Sequence, residues 1–159
     1  MTKLIAHRGL LYGPNVELEN RPDQIVLALS KGYDCEIDLR IEHGKFFLGH
    51  DESTYEVKEQ FLELEGLWIH AKNLEALRWL SDSNLTYFWH QNDDYIITSN
   101  SYIWSFPGKP LTDKSVCVMP EWNDPQFENI TKTPCYGICS DYIEKISEIL
   151  KSVPSSPVG

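Results

Sequence analysis

The chain has 159 residues, with 14 Lys and Arg against 24 Asp and Glu and a formal charge of −10. At 42% hydrophobic and 12% aromatic residues it carries enough apolar material for one packed domain, which argues against disorder. Its acidic balance, without a Lys/Arg stripe, argues against a nucleic-acid partner, and no apolar run nears the roughly 18 residues that span a bilayer.

Leu4, Ile5 and Ala6 give way at once to His7-Arg8, too soon for the apolar stretch of a signal peptide, so a cytoplasmic chain without membrane insertion is expected. Lys3 to Ala6 reads as the first strand. A helix follows from Pro22 to Lys31, with Pro22 at an early helical position and Gly32 as its stop. Tyr33 to Leu39 reads as the second strand, and Arg40 to Leu48 as a hairpin turning at His43-Gly44. Leu67 to Ala71 is a strand, and Asn73 caps a helix whose Leu74, Leu77 and Leu80 form one stripe. Leu85 to Trp89, Tyr102 to Trp104, Val116 to Met119 and Tyr136 to Cys139 complete the strands, and the Ser-, Asn-, Pro- and Gly-rich stretch 92–111 holds no full helix. Asp141 is expected to cap a last helix from Tyr142 to about Val153. Residues 1–151 are expected to form one domain and 152–159 a flexible tail. Cys35, Cys117, Cys135 and Cys139 lack the paired spacing of a zinc site and read as reduced, mostly buried thiols.

Strand-helix units of this kind imply an α/β fold with a parallel sheet, and a closed barrel is one solution. A full eight-unit barrel needs about 250 residues. The expectation is therefore a compact, truncated TIM-type (β/α) barrel with several outer helices shortened or missing.

Functional groups of parallel α/β folds gather where strands end. Glu36 and Asp38 are two apart on a strand, on one face and about 6.6 Å apart along it, while Cys35, Ile37 and Leu39 face the other way. A divalent cation would offset the cost of enclosing both carboxylates, and oxygen ligands favour Mg²⁺ or Ca²⁺. His70 is a candidate third ligand. Lys72 shares its face and can meet an anionic substrate oxygen or pair with Glu36. Arg8 offers a planar fork for phosphate or carboxylate. His7 and His50 leave different strand ends and suit an acid/base pair in which either can take either role. His90, with Gln91 and Asp93-Asp94, reads first as part of a solvated loop and second as a rim residue, His43 as part of the turn, and Glu121 and Asp141 as residues that follow strands, where either could line the pocket.

Taken in order, Ile5-Ala6-His7-Arg8-Gly9, Glu19-Asn20, Glu36-Ile37-Asp38-Leu39 and Gly49-His50-Asp51 resemble the motifs of the glycerophosphodiester phosphodiesterase family. The resemblance covers the first third of the chain and fades beyond Lys72. It implies a (β/α) barrel, a divalent cation on Glu36 and Asp38, His7 and His50 as acid and base, and Arg8 on the phosphate. Where the family carries Glu-x-Lys on its third strand, this chain has His70-Ala71-Lys72, so the lysine matches and a carboxylate is replaced. Trp104 stands where the family often has a late aromatic lining the pocket.

The expected function is metal-dependent hydrolysis of a glycerophosphodiester or similar small anionic phosphodiester. The rivals are a non-catalytic anion-binding barrel and a lyase that stops at a cyclic phosphate. A homo-oligomer would hide apolar surface left by missing helices.

Overall fold

The computed structural model describes residues 1–154; residues 155–159 of the expected tail lie outside the described residues, and Ser152 ends the last helix. The chain opens with β1 (Lys3–His7), α1 (Pro22–Ser30) and β2 (Asp34–Glu42), followed by β3 (Lys45–Leu48) and β4 (Tyr55–Val57). Next come β5 (Leu67–Ala71), α2 (Leu74–Ser81), β6 (Tyr87–Phe88) and β7 (Tyr95–Ile97). It ends with β8 (Ile103–Ser105), β9 (Ser115–Val118), β10 (Gly137–Ser140) and α3 (Ile143–Ser152).

All ten strands of the described residues belong to one mixed sheet in the order β4-β3-β2-β1-β10-β9-β8-β7, with β5 on the other edge of β2 and β6 beyond β5. The long β2 makes this branching possible. Its first residues pair in parallel with β1, its last four pair antiparallel with β3, and its middle pairs with β5. His43 and Gly44 both adopt positive φ (52° and 76°), the backbone of the tight turn that matches strand twist in two-residue hairpins.

Strand parity sorts the side chains into two layers. One face carries Ile5, Trp68, Phe88, Trp104, Val116 and Cys139, which pack together inside the curl of the sheet. The other carries Ala6, Cys35, Ile37, Leu39, Ile69 and Ala71, which pack against Ile25 and Ala28 of α1, Ala76 and Leu80 of α2, and Ile143 of α3. Asn73 caps α2 as expected, its side chain accepting from the Ala76 N–H at 3.0 Å.

The expected TIM-type barrel is corrected by this topology. The sheet is a half-barrel, not a closed ring with alternating helices, and the described residues hold three α-helices. β3, β4 and β7 run antiparallel to their neighbours. No ladder joins β6 to β8 among the described residues; Phe88 stacks on Trp104 across that side at 4.4 Å, and the Ser99 N–H bonds the Tyr87 carbonyl. The physical cause is the stretch from Phe88 to Gly137. Its turn-forming residues supply strands and short turns but no amphipathic helix to cover the outer face. Among the described residues no helix is long and apolar enough to cross a membrane.

Candidate functional site

The register of three parallel strands assembles the site. His7 lies beside Glu36 across β1 and β2, and Asp38 beside His70 across β2 and β5, so all four point to the concave face near the strand ends. With Arg8, His50 and Trp104 they line one cavity of about 210 Å³.

Each acidic side chain has a distinct set of partners. Glu36 Oε2 accepts the Arg8 backbone N–H at 3.1 Å and lies 3.7 Å from His7 Nε2, and its Oε1 lies 3.7 Å from His70 Nδ1. Arg8 reaches that position through a left-handed backbone (φ 54°). Gly9 follows at φ 78°, with its would-be Cβ 3.1 Å from the Ile25 side chain, which explains the glycine after His-Arg by packing on α1. Asp38 is fully buried. Its Oδ2 accepts from Asn20 Nδ2 at 2.8 Å and contacts Arg8 Nε at 3.2 Å, while Asn20 Oδ1 accepts the Asp38 N–H at 2.9 Å. Glu19 holds the other end of the guanidinium, accepting from Arg8 Nη1 at 3.1 Å. The Glu19-Asn20 pair thus pins Arg8 and Asp38, with Asn20 also in a left-handed backbone (φ 61°).

One oxygen remains outside this network. Asp38 Oδ1 is buried without a hydrogen-bond partner among the described residues, facing His70 Nδ1 at 3.3 Å without the alignment of a bond. His70 Nε2 donates to the His90 carbonyl at 3.0 Å, so the ring, when neutral, turns an Nδ1 lone pair toward both carboxylates. Ligand atoms of Glu36, Asp38 and His70 all lie within 4.8 Å of one another. An orphaned carboxylate oxygen, a second carboxylate and an imidazole oriented through its other nitrogen fit a divalent cation.

The electrostatics match this crowding. Burial alone would raise the Asp38 carboxyl, but His70, Arg8 and Asn20 outweigh it and hold it well below the usual carboxylate range. Burial pulls His70 down, yet Asp38 and Glu36 push it up to about 9. His7 is likewise lowered by burial and raised on balance by Asp141 and Glu36.

Both catalytic candidates have Nδ1 on a carboxylate, which leaves Nε2 as the exchanging nitrogen. His7 Nδ1 bonds Asp141 Oδ1 at 2.7 Å, and His50 Nδ1 bonds Asp51 Oδ1 at 2.8 Å. The pairs differ in burial, since Asp141 is buried and the Asp51 side chain is 92% exposed. Arg40 fixes the His50 loop by donating to the Gly49 and His50 carbonyls at 3.3 and 2.7 Å. Gly49 is required for another reason, because a Cβ there would overlap the Glu52 carbonyl oxygen. Gly49→Ala is therefore expected to cost roughly 1–3 kcal/mol of stability in urea unfolding and to displace His50. A midpoint equal to that of the parent chain would exclude this role.

Several sequence readings need correction. Asp141 does not cap α3: Tyr142 holds the cap position without a side-chain bond, and the Asp141 carboxylate is spent on His7. His90 is not a free loop residue, because it lines the cavity and its carbonyl orients His70. Lys72 does not line the cavity. Its N–H extends the β5 ladder to the Leu39 carbonyl just before the α2 cap, and its charge acts on Asp51. Trp104 does line it, backed by Phe88 and Trp68 at 4.4 and 6.0 Å.

The sequence reading missed Arg40, the His7 role of Asp141 and the wall formed by Phe106, Met119 and Trp122. The signal for Asp141 was its place one residue past a short buried strand, where pocket residues collect. Glu121 supports it from behind, accepting the Asp141 N–H at 3.1 Å and the Ser140 hydroxyl at 2.9 Å. No protein-family model, curated protein or solved structure matches the chain.

Proposed function

We propose that the chain is a divalent-metal-dependent phosphodiesterase of the glycerophosphodiester phosphodiesterase type, cleaving a small phosphodiester to an alcohol and a phosphomonoester. The observation that carries this reading is the meeting of His7, His50 and Arg8 with the Glu36-Asp38-His70 cluster in one cavity. An anion pocket alone has no use for two histidines that each keep Nδ1 on a carboxylate beside a cation-binding set.

Glu36, Asp38 and His70 would hold the cation, which when bound supplies positive charge opposite the phosphoryl oxygens. Arg8, steadied by Glu19 and Asp38, adds N–H donors to the same oxygens. One histidine takes the proton from the attacking hydroxyl, of water or of the substrate itself, as its oxygen bonds to phosphorus. The other histidine gives a proton to the departing alcohol oxygen as the old P–O bond breaks. Asp141 positions His7 and stabilises its imidazolium.

The test is turnover of bis-p-nitrophenyl phosphate and glycerophosphocholine with Mg²⁺, Ca²⁺ or Mn²⁺. His7→Ala and His50→Ala are each expected to lower kcat by about 10²-fold or more. Undiminished turnover by both variants, or no turnover by the parent chain with any of the three cations, overturns the reading. Phosphorus NMR of the products separates hydrolysis from release of a cyclic phosphate.

A further inference from the structure

The cavity lining is divided by chemistry. Its charged half comes from the ends of β1, β2 and β5 and from His50, whereas the facing half comes from the segment after β6 and the segments around and after β8 and β9 and carries Trp104, Phe106, Met119 and Trp122. We propose, resting on the phosphodiesterase reading above, that this second half seats the alcohol part of the substrate and selects a flat, unsaturated ring over a glycerol-like polyol.

Three observations carry this. The first is hydrogen-bonding capacity. The polar side chains on that half are His90, whose Nε2 is already bonded to the Asp93 carbonyl at 2.6 Å, and Gln91 at the exposed edge. Glu121 is adjacent in sequence to Trp122, but both its oxygens are engaged by Ser140 and the Asp141 N–H, and it does not line the cavity. A polyol entering here would lose water bonds without replacement, which a site selective for polyols avoids.

The second is uncovered aromatic surface. Trp122 is 64% and Phe106 37% exposed, although both belong to the lining of a concave site. A planar ring laid against them removes apolar area from water on both partners and gains ring-on-ring contact. Trp104, which lines the same cavity, is buried and fixed by its stack on Phe88, so the seat combines a rigid aromatic with two exposed ones.

The third is backbone strain. Met119 is buried with a left-handed backbone (φ 48°, ψ 55°), unusual for a side chain of its size, and directly precedes the Pro120–Trp122 turn. That conformation directs the chain from β9 into the turn that brings Trp122 to the cavity. Strain held at a ligand-facing position is characteristic of binding sites.

The experiment titrates the full chain, in Mg²⁺, with phenyl phosphate, glycerol 3-phosphate, phosphocholine and inorganic phosphate by calorimetry. Phenyl phosphate is expected to bind about tenfold more tightly than glycerol 3-phosphate. In the Phe106→Ala/Trp122→Ala double variant the two affinities are expected to converge to within about twofold, with inorganic phosphate unaffected and Trp122→Phe retaining most of the preference. Equal binding of the two esters, a preference unchanged in the double variant, or tightest binding of phosphocholine overturns the proposal; the last result would assign a cation-binding wall instead. These outcomes leave the phosphodiesterase reading standing as long as inorganic phosphate binds and Arg8→Ala weakens it. Failure of inorganic phosphate to bind at all removes that reading and this one together.

Discussion

Replacing Asp141 by asparagine is expected to lower kcat by about 10²-fold or more while KM stays within about twofold. Asp141 accepts from His7 Nδ1 at 2.7 Å in a buried setting, and an amide there neither stabilises an imidazolium nor enforces the same tautomer. The matching change at the other histidine separates a functional dyad from mere proximity. Asp51 bonds His50 at a similar distance but in water, where the pair is screened, so Asp51→Asn is expected to lower kcat less than about threefold.

A second readout of Asp141→Asn does not depend on turnover. Burial lowers His7, but Asp141 and Glu36 more than compensate, so its titration by NMR is expected to shift downward in the variant. Because the folded value is raised, the His7 contribution to stability is complete below the unfolded value and is lost as pH rises through the folded one. Asp141→Asn therefore costs more stability at a pH below the ordinary histidine value than at alkaline pH, as read by urea midpoints. A variant with parent kcat and an unmoved His7 titration would remove Asp141 from the site.

Much of this site was legible because a strand obliges alternate residues to share a face. Glu36 and Asp38 were placed together by parity alone, and His70 joined them because β5 pairs with β2 in the register that sets it beside Asp38. Most strands, including β8, β9 and β10, could be read from apolar runs, and the hairpin turn from His43-Gly44; β4 and β7, three residues each at the ends of the strand order, could not. What escaped was set by long-range geometry. Asp141 stands where an aspartate before a helix ordinarily caps it, and only the arrival of β10 beside β1 brings it to His7. A rim position for His90 was the weaker of two sequence readings, and its contact with His70, made through a backbone carbonyl, carries no side-chain signal. The barrel expectation, which already allowed for missing outer helices, failed on the sheet itself: β3, β4 and β7 run antiparallel, and among the described residues no ladder joins β6 to β8 to close a ring.

Adding a divalent cation near pH 7.5 is expected to release about one proton per ion bound. With Asp38 and Glu36 beside it, His70 is pushed up to about 9, so at neutral pH its ring is an imidazolium occupying the position a metal would take. The Nδ1 proton must leave before that nitrogen can serve as a ligand, and affinity should climb about tenfold per pH unit until roughly pH 9. Calorimetry in HEPES and in Tris, whose ionisation heats differ, reads the proton directly; identical heats would mean that His70 stays protonated and the carboxylates act without it. His70→Glu supplies the converse. A third carboxylate adds one negative charge and has no proton to lose at this pH, so Mg²⁺ is expected to bind about tenfold or more tightly with a much flatter pH dependence. Glu36→Ala, which removes the carboxylate that joins the orphaned Asp38 Oδ1 in the ligand set, is expected to abolish binding in either background. If the His70→Glu variant gains nothing while Glu36→Ala still loses everything, the cation sits on the acidic pair and the imidazole is only its neighbour.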